Sequence, residues 1–152
     1  YFLKNGKKVT SEIIFKLINL PENISISDLI DNYLANNKNK VIKVINENNY
    51  TNDDCILILR SLLNKSKKIL QLSLIYKENK NIELTITKAN PPIFWKDKEI
   101  TKQQLKTWNS DDLKKLIYKL NDIELIIKKN LNNSLNIITN FLLEDHKYKI
   151  SS

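Results

Sequence analysis

One glycine, Gly6, and three prolines, Pro21, Pro91 and Pro92, are all that 152 residues offer for sharp turning. Tight hairpins rely on glycine for positive φ and on proline for a preset φ, and an all-β domain needs many of them. The scarcity points to helices joined by polar breaks. Apolar residues do recur at helical spacing along nearly the whole chain.

That spacing predicts seven or eight helices. The first opens at the cap Thr10-Ser11-Glu12, carries Ile13, Ile14, Leu17 and Ile18 on one face, and stops at Pro21, because the residue before proline is pushed out of the helical region. Ser27 caps the next, with Leu29, Ile30, Tyr33 and Leu34 inward, and Asn36 to Lys40 forms a polar break. A short helix follows through Val41, Ile42, Val44 and Ile45, closing at Glu47-Asn48-Asn49. The longest helix, about Asp53 to Tyr76, is capped by Thr51 or Asn52 and begins with two carboxylates facing the positive end of its dipole. Its leucines and isoleucines cover more than one stripe, which predicts a central helix contacted from several sides.

Ile82-Glu83-Leu84-Thr85-Ile86-Thr87 alternates like a strand but has no partner strand, so it is read as a short helix or extended turn. After Pro91-Pro92, Phe94 and Trp95 are expected to bury themselves. A helix from about Ile100 to Trp108 follows. Asn109 or Ser110 caps the next, with Asp111 and Asp112 in its first turn and Leu113, Leu116, Ile117, Leu120, Ile123, Leu125 and Ile126 running to about Lys129. Asn132 to Ser134 breaks it. Leu135, Ile137, Ile138, Phe141, Leu142 and Leu143 make a last helix before a charged tail. The fold class is all-α.

Composition bounds the function. A hydrophobic share of 41% can build a core. The net charge of +8 raises the question of nucleic acid, but Arg60 is the only arginine, and specific readers of phosphate and guanine favour its bidentate fork. Solvated lysine faces account for the charge more simply. With no methionine and an opening Tyr1-Phe2-Leu3, the chain is expected to be a portion of something longer. No apolar run approaches the ~20 residues of a membrane span and nothing resembles a signal peptide, so a soluble, cytoplasmic chain is expected.

No catalytic constellation emerges. A phosphate-cradling loop needs several glycines. His146 is the sole histidine and lies in the tail, which leaves neither a histidine triad nor a two-histidine metal site. Cys55, the single cysteine, sits in Cys55-Ile56-Leu57-Ile58-Leu59, where a small buried residue is expected. The pairs Asp53-Asp54 and Asp111-Asp112 fall where helix dipoles explain them. Phe94, Trp95 and Trp108, with Lys96 and Lys98 nearby, could form a base-stacking platform, but packing against the central helix is the expected role. Catalytic, cofactor and metal residues are therefore expected to be none.

One stretch is distinctive. Pro91-Pro92-Ile93-Phe94-Trp95-Lys96 is followed by Gln104 with Trp108, then Leu113, Leu116 and Leu120, and then Glu124-x-x-x-Lys128 at ion-pair spacing. Upstream, Asp28-Leu29-Ile30-Asp31 to Ile45 forms a short helix pair and Asp54 to Leu74 a long helix. In this order the chain, from about Thr10 to Glu144, resembles the C-terminal part of the delta subunit family of bacterial DNA polymerase III, a component of the sliding-clamp loader. The resemblance implies that residues 1–48 end an AAA+-like lid domain and residues 49–152 form a helical collar domain. It implies a non-enzymatic assembly module of a DNA-replication complex, with no cofactor. The implied partners are the other clamp-loader subunits (gamma/tau and delta-prime), with sliding clamp and primed DNA reached only through the full-length protein or complex, and no membrane. Phe94, Trp95, Gln104, Trp108, Leu116, Leu120, Glu124 and Lys128 become candidates for packing and interface roles. The alternative is a basic all-α nucleic-acid-binding domain.

Overall fold

The structure, a computed structural model, describes residues 23–144. The expected Thr10–Ile18 helix, its stop at Pro21, and His146 lie outside the described residues. Among the described residues there are seven α-helices and no strand. The first, α1, occupies residues 23–34. It is followed by α2 (Lys38–Glu47), α3 (Asp54–Asn79), α4 (Ile82–Thr87), α5 (Lys98–Thr107), α6 (Ser110–Lys129) and α7 (Ser134–Leu143). Short 3-10 turns at Trp95–Asp97 and Leu131–Asn133 lead into α5 and α7.

Local chemistry sets most of the boundaries. Ser27 does not cap α1 but lies within it, exposed. Ile26 is buried and extends the apolar row Leu29, Ile30, Tyr33, Leu34 by one turn, so the helix begins earlier than Ser27 suggests. α1 gives way to α2 through Asn36, which takes the left-handed φ of 60° that asparagine tolerates. Helix α6 starts as expected: Asn109 Oδ1 accepts the Asp112 N–H at 2.8 Å.

The start of α3 differs from expectation. Its N-cap position is Asp53, which makes no side-chain cap bond. Instead Thr51 donates its N–H (2.8 Å) and hydroxyl (3.0 Å) to the Asp54 carboxylate, the reach-back half of a capping box. Asn52 is occupied elsewhere. Its Oδ1 accepts the Leu135 N–H at 3.0 Å and its Nδ2 donates to the Asn132 carbonyl, fastening the start of α3 to the start of α7. The alternating segment after Lys80 is helical, because Asn81 caps it through the Leu84 N–H and turns Thr85 and Ile86 inward.

α3 is the central element and touches α4, α5, α6 and α7. One apolar core runs from Ile26 to Leu142 and includes Leu29, Tyr33 and Val41 together with Leu62, Leu113 and Ile138. The Tyr33 and Phe141 rings, 5.8 Å apart, join the first described helix to the last. The α2–α3 turn coincides with the residue 48 boundary, and the core continues across it. No helix among the described residues is long and apolar enough to cross a membrane.

Candidate interaction surface

The residues singled out by the sequence separate into a buried anchor and an exposed ridge. The anchor is built by α5 and the turn behind it. Trp108 is 2% exposed, and its indole Nε1–H donates to the Leu34 carbonyl at 2.8 Å. That carbonyl lies in the last turn of α1, where helix geometry leaves it without an intrahelical donor. One turn earlier, Gln104 is fully buried and donates through Nε2 to the Asp31 carbonyl at 3.0 Å, while its Oε1 has no hydrogen-bond partner. Gln103, which the sequence reading passed over, donates to the Ala35 carbonyl and to Asn37 Oδ1, both at 3.0 Å. Gln103 and Gln104 of α5, with Trp108 just after it, thus complete the C-terminal end of α1.

The ridge overturns an expectation. Phe94 is 58% exposed and Trp95 69% exposed, so neither buries. The 3-10 turn at Trp95–Asp97 directs both rings outward, 6.0 Å apart and inclined at 42°. Ile93 takes the inward place and packs on the core. Lys96 Nζ lies 5.4 Å from the Trp95 ring centre, a cation–π contact on one face of the indole. The Asn90–Pro91 peptide is cis. Beside the ridge, a groove of about 290 Å³ opens between α3 and the Ala89–Phe94 segment, floored by Ile69, Leu72, Ile75 and Ile93.

On α6, Leu116 and Leu120 are buried against the core. Glu124 is half-buried and pairs with Lys128 at 3.1 Å and with Arg60 of α3 at 3.8 Å. The sequence spacing anticipates the first of these contacts; the second depends on how α3 lies against α6. Of the apolar residues that carry the helix to its end, Leu125 and Ile126 are exposed, and Ile127 beside them is buried. The 3.6-residue period admits only part of three consecutive apolar residues to one stripe. With Tyr118 and Leu131 they leave large apolar side chains facing outward from α6 and the turn after it, and on α3 Leu57 and Leu74 are exposed toward opposite ends of the helix.

The titratable groups are accounted for by structure. Cys55 is buried, its thiol 3.4 Å from the Thr51 carbonyl, and burial pushes its pKa up, away from the reactive thiolate. Burial likewise raises the Tyr33 phenol far above its ordinary value. Lys102 bridges Glu83 of α4 (2.7 Å) and Glu99 (3.0 Å), and these bonds raise its pKa. Asp54 and Asp112 serve helix starts. Among the described residues no group of three or more His, Cys, Asp or Glu side chains is placed to hold a metal ion.

Compared with protein-family models, with curated proteins and with solved structures, the chain matches none.

Proposed function

We propose that this chain is an assembly module, the collar region of a clamp-loader delta subunit, with no catalysis of its own. The observation that carries the reading is the outward apolar group Tyr118, Leu125, Ile126 and Leu131 on and after α6, with Leu57 and Leu74 separately exposed toward opposite ends of α3. A subunit of a ring meets different neighbours on different sides, so its bundle needs apolar residues on more than one outer face. Large apolar side chains gathered on a surface mark contact sites. The order of elements from Asp28 to Lys128 supports the family resemblance. Because α1 and α2 share the core of the later helices, we place them with the collar bundle rather than with a lid domain ending at residue 48.

In this reading the partners are the gamma/tau and delta-prime subunits. Size-exclusion chromatography with those subunits at micromolar concentration is expected to show co-elution, and Leu125→Glu to abolish it while leaving the helical content unchanged. Separate elution of the wild-type chain would sink the assignment.

A second reading, a nucleic-acid-binding domain, is favoured by the exposure of Phe94 and Trp95 beside Lys96 in a chain of net charge +8. Fluorescence anisotropy with primed DNA at two salt concentrations separates the two. Phosphate binding weakens steeply with salt, whereas assembly through apolar faces does not.

A further inference from the structure

We propose that the outer face of α6 pairs with the same face of a second copy of this chain, antiparallel, with Tyr118 of each copy set against Leu125 of the other. The inference goes beyond ring assembly, because it concerns the chain with no neighbouring subunit present. Three observations carry it. First, the apolar residues of the face are spaced for self-pairing. Leu113, Leu116, Leu120, Ile123 and Ile127 turn toward the core, whereas Tyr118 and Leu125 lie on the opposite side of the helix, 73% and 59% exposed. Seven residues apart, they stand on one line two turns long, about 10.5 Å. When one copy is turned end for end, Tyr118 meets Leu125 and Leu125 meets Tyr118, as a two-fold contact requires.

Second, the unpaired charges of this face cancel. On its flanks Lys115, Lys119 and Lys128 are held by Asp112 (4.0 Å), Glu144 (3.3 Å) and Glu124 (3.1 Å) of their own chain. Asp111, Lys114, Asp122 and Lys129 are exposed and form no ion pair among the described residues, and two are acidic and two basic. A chain of net charge +8 repels its own copy, and a face without net unpaired charge is where that repulsion is smallest. Third, opposite signs stand at opposite ends. Asp111 lies in the first turn of α6 and Lys129 in the last. With Tyr118 against Leu125, Asp111 of one copy comes within about 4.5 Å along the axis of Lys129 of the other, and the two-fold repeats the contact. A parallel pairing sets Asp111 against Asp111 and Lys129 against Lys129, like charge on like.

The same charges argue against other occupants of this face. A nucleic acid or a strongly acidic segment gains little from a surface whose unpaired charges sum to zero. The contact is one helix wide, which places it below about 1,200 Å² and its Kd on the order of 100 μM.

The test is sedimentation equilibrium of the full chain alone, from about 10 μM to about 1 mM, a range that brackets that affinity. A reversible monomer–dimer equilibrium is expected. Asp111→Lys and Lys129→Asp, each alone, turn two attractive contacts into two repulsive ones and are expected to weaken it about tenfold. The double variant, and an equimolar mixture of the two single variants, restore opposite charges across the contact and are expected to recover the wild-type affinity within about twofold. A general loss of stability would not produce that recovery. Circular dichroism checks that each variant keeps its helices, since Asp111→Lys also removes a carboxylate from the first turn of α6. Tyr118→Ser, a change at an exposed side chain, examines the apolar half of the contact and is expected to weaken pairing several-fold. Four results overturn the proposal: a wild-type chain that stays monomeric at the highest concentration, assembly that continues past the dimer, a dimer that neither reversal weakens, or single reversals whose combination fails to recover. The assembly reading is judged by co-elution with other subunits and this one by the chain alone, so failure of either leaves the other standing.

Discussion

Trp108→Phe is the perturbation that most directly examines how the bundle is joined. Two costs combine at that site. Removing the indole N–H leaves the Leu34 carbonyl, buried beneath the ring, without its 2.8 Å donor, and an unsatisfied buried acceptor costs about 1–3 kcal/mol. The smaller ring also leaves a void on the order of 40 Å³, which adds about 1 kcal/mol at about 24 cal/mol per Å³. The sum of about 2–4 kcal/mol is a large share of the roughly 5–15 kcal/mol that stabilises a domain. Urea unfolding followed by far-ultraviolet circular dichroism is expected to show a lower midpoint with an unchanged slope. For a chain of 152 residues the melting temperature should fall by roughly 5–15 °C. Trp95→Phe is the matched control. Its ring is 69% exposed, so the same chemical change there should move stability by less than about 0.5 kcal/mol. Fluorescence distinguishes the two as well, since Trp108→Phe leaves only the exposed, red-shifted indole. Equal destabilisation by the two variants would refute the claim that Trp108 joins α5 to α1 through a buried bond.

Other outcomes follow from the same contacts. Asn109→Ala removes the α6 cap and the acceptor for the Asp112 N–H, and should cost about 1–2 kcal/mol in urea unfolding, with Asn109→Ser recovering most of it. Glu124→Gln breaks the contacts to Lys128 and Arg60, but both cations are exposed. The expected loss is therefore below about 1 kcal/mol and should vanish in about 1 M salt, a result checked by repeating the melt at both ionic strengths. Alkaline stability should fall steeply. Above the ordinary tyrosine and cysteine values the unfolded chain releases protons that folded Tyr33 and Cys55 retain, so the unfolded state binds fewer protons and stability drops as pH rises. The Lys102 shift acts with the same sign, because its contribution is complete below the unfolded value and is lost as pH rises through the raised folded value. For the buried groups Tyr33 and Cys55, full displacement contributes a slope of up to about 1.4 kcal/mol per pH unit, and Cys55→Ala should flatten the decline just above the ordinary cysteine value in urea titrations.

The sequence by itself determined the elements. Scarce glycine and proline, a 3.6-residue apolar period, and Asn109 with Asp111 and Asp112 at a helix start are local facts, and α2, α3, α5, α6 and α7 follow them. Local patterns also allowed the Glu124–Lys128 contact, since residues four apart on a helix are neighbours whatever lies around them. They could not distinguish Trp95 from Trp108. Both are large aromatics beside polar residues, and which one is buried depends on whether an opposing surface comes within reach. Trp108 meets the end of α1, far away in sequence, whereas the turn at Trp95–Asp97 gives that side chain nothing to cover it. Asn52 is a similar case, an expected cap diverted to α7. The period that marks α6 as amphipathic does not say that Ile127, rather than Ile126, faces the core. Tertiary structure decided these points because burial is a relation between two surfaces, and a single segment specifies only one of them.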